Sequence, residues 1–171
     1  MLPGRINKSH EEIRGRFSFR MTEDESKQFE AIAAPVVTDP RVTRMKKYIQ
    51  HGNKSTYDHC IDVARMAFLI NRRFHVGADE KKLVRACLLH DYFLYDWHTK
   101  GDHLHGYHHP SIAGRNAEAD FSISKKEKKM IETHMWPLTF LHFPTSRGGW
   151  LLTLADKICS SREVIKKHRF P

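Results

Sequence analysis

The sequence predicts an all-α chain folded as a single helical bundle, and three observations predict it. Apolar residues recur at spacings of three and four, as in Val63, Ala67, Ile70 and Phe74. Helix start signals stand ahead of such runs: Asp39 before Pro40, Ser55 with Asp58, Ser124 with Glu127. No stretch reads convincingly as a strand, and there is no internal repeat or low-complexity tract.

At 171 residues the chain is long enough for one domain with a real core and no disulfide staples. The cysteines fit that reading. Cys60, Cys87 and Cys159 each lie in an apolar helical pattern and none belongs to a CxxC, so they read as buried reduced thiols of a cytosolic protein rather than zinc ligands. Met1 to Arg20 is basic, but Pro3, Gly4 and Gly15 break it and it holds no apolar run of signal-peptide length. With no membrane-length stretch elsewhere, the expectation is a cytoplasmic protein with no membrane partner. The net charge of +9 attracts polyanions, either phosphorylated small molecules or nucleic acid. Much of that charge lies in Lys125-Lys126, Lys128-Lys129 and the 166–169 tail, which read as solvated helix faces, so nucleic acid is the weaker expectation.

Taken in order, residues 1–25 read as a loosely docked basic arm and 26–171 as the helical domain. A short helix over 25–34 carries Phe29, Ile32 and Ala33 and is expected to stop at Pro35. Asp39 as N-cap and Pro40 at N1 open a second helix running to about Gln50, with Val42, Met45 and Ile49 on one side. Ser55 opens a long third helix to about Phe74; four residues before Val63, His59 shares its inward face. Gly77 and Asp79 mark the next boundary, after which Leu83, Cys87, His90 and Leu94 keep helical spacing and turn His90 inward. Residues 95–108, with Gly101, Gly106 and several histidines, read as a loop. His109-Pro110 is expected to begin a helix to about Ala119. Ser124 and Glu127 cap another through Met130, Ile131 and His134, and a final helix runs from Trp150 to about Lys167 with Leu152, Asp156 and Cys159 on one face.

The chemistry centres on His90-Asp91, two good metal ligands at the end of the apolar run 83–89. Burying that polarity requires a partner, and a cation is one. Further candidate ligands stand on other predicted helices: His59, His109, His134 and Asp156, the last an aspartate set between Leu154-Ala155 and Ile158. His105 or His108 can substitute for His109 on sequence grounds alone. Trp97, Tyr95 and Trp136 read as core or rim aromatics, and Asp96 and His98 as possible proton relays beside a site mouth.

In this order, Tyr57-Asp58-His59, Leu89-His90-Asp91, His109, His134 and Leu154-Ala155-Asp156-Lys157 resemble the HD-domain superfamily of metal-dependent phosphohydrolases over about residues 40–165. His109 and His134 match the two intermediate ligands of its dinuclear branch. The words His109-Pro110-Ser111-Ile112-Ala113-Gly114 and Thr133-His134 are similar to those of members that hydrolyse dinucleoside polyphosphates. The resemblance implies one divalent metal held by His59, His90, Asp91 and Asp156, with Asp91 bridging to a second held by His109 and His134. Imidazole and carboxylate donors suit iron, manganese, cobalt, nickel or zinc rather than magnesium alone. Two such ions about 3.5 to 4 Å apart can share a hydroxide and clamp phosphate oxygens during in-line attack. Lys157 and Arg115 are the candidate phosphate clamps. Members that act on cyclic dinucleotides often follow the HD pair with glycine and lysine, whereas Tyr92-Phe93 follows here, so the resemblance points to nucleotides, dinucleotides and other phosphoesters. Two competing expectations accompany it. One is a mixed-valent di-iron oxygenase built on the same six residues; the other is a non-catalytic basic module with a structural metal.

Overall fold

The computed structural model describes residues 20–51, 54–96 and 104–169, and side chains as far as residue 165 except that of His51. The greater part of the expected N-terminal arm, together with Trp97, His98 and Gly101 to His103 of the expected loop, lies outside the described residues. Seven α-helices account for most of what is described: α1 (Glu23–Val37), α2 (Pro40–Thr43), α3 (Thr56–Arg73), α4 (Glu80–Leu89), α5 (His105–Phe121), α6 (Lys125–Glu132) and α7 (Arg147–Arg169). The fold is the all-α bundle that the periodicity predicts.

Helix α3 forms the axis of the bundle, packed against α4 and α7, while α6 bridges α4, α5 and α7. Its inward face explains the arrangement. Val63, Ala64, Ala67 and Phe68 are fully buried, and they meet Leu83, Cys87 and Leu88 of α4 and Leu152 and Ala155 of α7 in one core cluster. Small residues such as Ala64, Ala67, Ala86 and Ala155 let the helices approach closely around the larger rings and leucines.

Local signals set most helix starts. Thr22 and Glu25 form a reciprocal capping box at α1, Ser124 and Glu127 another at α6, and Asp39, Ser55 and Asp79 accept backbone N–H bonds at α2, α3 and α4. At Ser55 only half of the box forms: its hydroxyl accepts from the Asp58 N–H and donates to the Asp58 carboxylate. Gly77, with φ of +74°, supplies the left-handed turn between α3 and α4.

Several sequence expectations are corrected. Helix α1 begins three residues inside the expected arm and continues through Pro35 to Val37. Pro35 falls in the last turn, where it removes one helical N–H bond, and Val36 beyond it is buried in the core. The second expected helix lasts only from Pro40 to Thr43; a 3₁₀ turn follows over Arg44–Lys47, then an antiparallel pair, β1 (Ile49–His51) with β2 (Lys54–Ser55). Sequence predicts no strand there, and the reason is tertiary: the extended backbone turns Gln50 inward, where its amide reaches Asp91. Helix α5 starts at His105 rather than His109, so Pro110 lies inside it. Packing of the His105 ring against Phe93 and Tyr95 accompanies that earlier start. Helix α6 stops at Glu132, short of His134. Helix α7 starts at Arg147, with Ser146 bonding the amides of Gly149 and Trp150; Gly148 sits where a Cβ would lie 2.6 Å from the Met130 side chain.

Arg73 in the last turn of α3 grips the buried Glu25 carboxylate and so joins the N-terminus of α1 to the bundle. The Arg73 hydrogen bond holds the Glu25 pKa down at about 2, against a desolvation effect of opposite sign. Because the folded-state pKa is depressed, this contribution is present above the unfolded carboxyl pKa near 4.5 and is lost as pH falls from there towards 2. Glu25→Gln is expected to lower stability by about 1–3 kcal/mol at pH 7. The gap between variant and wild type narrows in urea titrations below pH 4.

Candidate metal centre

Four histidines and two aspartates from five segments meet at one end of α3. His59 comes from the second turn of α3, His90 caps the C-terminus of α4, Asp91 follows it, His109 lies on α5, His134 in the turn after α6, and Asp156 on α7. All six are buried. The helix-spacing argument thus succeeds for His59 and Asp156. His90 and His134 turn inward from helix ends instead, His134 fixed by its own Nδ1–H to the Ile131 carbonyl at 2.7 Å.

Asp91 occupies the middle, and its two oxygens face different ways. Oδ1 lies 3.2 Å from His109 Nε2 and 3.8 Å from His134 Nε2. Oδ2 lies 3.4 Å from His90 Nε2 and 3.9 Å from His59 Nε2. Asp156 Oδ1 completes the second group, 3.3 Å from His59 Nε2 and 3.9 Å from His90 Nε2. Atoms coordinated at 2.0–2.2 Å to one cation stand about 3 to 3.5 Å from each other, so both halves have nearly the span of a coordination shell. His59, His90 and Asp91 form one triplet able to hold a metal, and Asp91, His109 and His134 another.

The ring orientations test the fit independently. His90, His109 and His134 each turn Nδ1 towards a backbone carbonyl, those of Cys87 (2.7 Å), His105 (2.9 Å) and Ile131 (2.7 Å). A carbonyl only accepts, so Nδ1 carries a proton in each, and the neutral form of a ring so held presents its Nε2 lone pair to the cluster. His90 Nε2 is buried without a hydrogen-bond partner. The Nε2 atoms of His109 and His134 face each other at 3.0 Å, a distance that two lone pairs tolerate only with a proton or a cation between or beside them. Donor set, burial and tautomers therefore fit divalent cations.

The electrostatics agree. Burial works against charge on Asp91, yet the surrounding imidazoles of His90, His109 and His134 outweigh it and hold its pKa below the usual carboxylate range. Asp156 is likewise held ionised, against burial, by His59, His90 and His134 with Lys157 alongside. Burial keeps His90 low, and burial with the neighbouring His90 and His109 pushes His134 down to about 3. His59 goes the other way: burial opposes its charge, but Asp156, Glu163 and Asp91 raise its pKa to about 10. Ionised carboxylates beside the low-pKa imidazoles of His90 and His134 make a site that stabilises added positive charge.

Sequence reasoning missed three participants. Glu163 accepts from His59 Nδ1 at 3.0 Å and fixes that ring, with Lys54 Nζ 3.4 Å from its other oxygen. Gln50 Nε2 donates to Asp91 Oδ2 at 2.6 Å. Glu163 is legible in principle, since it lies seven residues, two turns, beyond Asp156 on the same helix; Gln50 carries no such signal. His105, an alternative to His109 by sequence, stacks on the His109 ring with centroids 4.5 Å apart and bonds Tyr95 through Nδ1, while His108 is exposed. Lys157 sits at the cluster, Nζ 2.9 Å from Asp156 Oδ2 and still partly exposed. Arg115 is not brought there: six residues beyond His109 it points about 120° around α5 and faces solvent.

A family model described as HD domain matches residues 56–160, a span that begins at the first residue of α3 and takes in all six cluster residues. No curated protein and no solved structure matches the chain. If Glu163 orients His59 as a ligand, Glu163→Gln weakens divalent-cation binding by about 10–100-fold. Calorimetric titration of the full chain with Mn²⁺ checks this, and an unchanged affinity contradicts it.

Proposed function

The chain belongs to the HD-domain family, and from that premise we propose that it is a phosphohydrolase acting on a nucleotide, dinucleotide or related phosphoester with two divalent ions, drawn from iron, manganese, cobalt, nickel and zinc. The family consists mostly of metal-dependent hydrolases, and this chain has the His and Asp groups to hold metal. The observation that carries the finer reading is the division of Asp91, whose two oxygens each face a separate pair of imidazoles.

In this reading His59, His90, Asp91 and Asp156 hold one ion, and Asp91, His109 and His134 the other. Bound there, the ions supply Lewis acidity that acidifies water and neutralises phosphoryl oxygens. The chain does the rest. The carbonyls of Cys87, His105 and Ile131 keep three imidazoles in the tautomer that presents Nε2 inward, and Glu163 does the same for His59. Gln50 holds the Asp91 carboxylate at the angle that serves both halves. Lys157, partly exposed beside Asp156, offers its ammonium group to a phosphate oxygen. The net charge of +9 favours an anionic substrate.

Purified protein supplied with Mn²⁺ or Fe²⁺ under anaerobic conditions is expected to release phosphate or nucleoside monophosphate from a nucleotide and dinucleotide panel. Asp91→Asn, which keeps shape and removes charge, is expected to cost more than about 100-fold in turnover, above the range of effects on groups that only orient a ligand. Its helical circular dichroism should stay unchanged. Oxygen consumption with an alcohol or phosphonate, and no hydrolysis, overturns the proposal in favour of oxygenase chemistry.

A further inference from the structure

The turn that carries His134 continues into a surface of a different kind. Between α6 and α7 the chain presents Leu138, Phe140, Leu141 and Phe143 to solvent, with Phe140 74% and Leu141 84% exposed. Trp150 and Leu154, one turn apart on α7, are exposed as well. The segment is held against its neighbours: the Trp136 ring packs edge-on to Trp150 with centroids 5.1 Å apart, and Leu138 closes over Gly106. Six large apolar side chains so exposed present on the order of several hundred Å² of hydrocarbon, the size at which a surface patch marks an interaction site.

Within the segment that forms this face, the outward charge has one sign. From residue 135 to 165 the only carboxylates are Asp156 and Glu163, and both turn inward onto His59. Arg147 and Arg162 are exposed on the same helix, α7, on a chain of net charge +9. Two copies meeting through this face would bring like charges together. Moreover, side chains standing three quarters clear of the protein project outward instead of lining a groove, a shape suited to entering a soft medium.

We infer that this face docks peripherally on an anionic lipid surface. Phe140, Leu141 and Phe143 enter at headgroup depth, and Arg147 and Arg162 meet the anionic headgroups. Among the described residues no helix is long and apolar enough to cross a membrane, so the contact is made on the surface. This departs from the sequence-based expectation of no membrane partner, which rested on the lack of a spanning stretch.

Co-sedimentation of the full chain with vesicles tests the inference, using phosphatidylcholine alone and phosphatidylcholine mixed with phosphatidylglycerol. Binding to the mixed vesicles only is expected, weakening as salt rises, with tryptophan emission shifting to the blue. The double variant Phe140→Ser, Leu141→Ser keeps every charge and touches only exposed side chains, so it should fold; it is expected to lose at least about tenfold in partitioning. Equal binding by variant and wild type would mean that net charge alone is responsible, and overturns the inference. So does an absence of binding at low salt, or light scattering that shows a dimer in solution which the double variant dissolves.

Discussion

Asp91 is an ionised carboxylate placed where water cannot solvate it, and the structure around it is an answer to that cost. Burial alone would neutralise the group, since an uncompensated charge in a low-dielectric interior is very unfavourable. Four imidazoles and one amide surround it instead, supplied by α3, α4, α5, the turn after α6, and β1. Each of those segments must be in place before the carboxylate is satisfied. The site and the bundle are therefore mutually dependent: the helices converge through their apolar faces, and the polar atoms at their ends converge on one carboxylate.

That dependence explains why so much of the supporting structure is backbone. The carbonyls that fix His90 and His134 belong to the residues three positions before them, Cys87 and Ile131, each in the last turn of its helix. Helix α4 ends at Leu89 and α6 at Glu132, and the imidazoles of His90 and His134 turn inward just beyond those ends. His59 and Asp156 are held by side chains instead: Glu163 holds His59, while Ser160 and Lys157 contact Asp156; His109, also inside a helix, keeps the carbonyl of His105.

How much of this was legible follows from the same distinction. Positions whose placement is a matter of helical period could be read directly: His59 four residues before Val63, Asp156 between Leu152 and Cys159, and the caps at Asp39, Ser55, Asp79 and Ser124. The family resemblance supplied what spacing could not, the membership of His109 and His134 in the cluster. Gln50 escaped because Val42, Met45 and Ile49 fit a helical period, whereas the backbone there is extended by a long-range hydrogen bond that no local pattern encodes. The start of α5 escaped for a similar reason. Pro110 is a strong first-turn signal, but ring packing of His105 against Phe93 and Tyr95 carries the helix back four residues.

Anomalous diffraction from crystals of the full chain grown with Mn²⁺ tests the central claim most directly. The account predicts two peaks about 3.5 to 4 Å apart, one on each side of the Asp91 carboxylate, the first among His59, His90 and Asp156 and the second beside His109 and His134. A map with no peak within coordinating distance of Asp91, at saturating Mn²⁺, would contradict it.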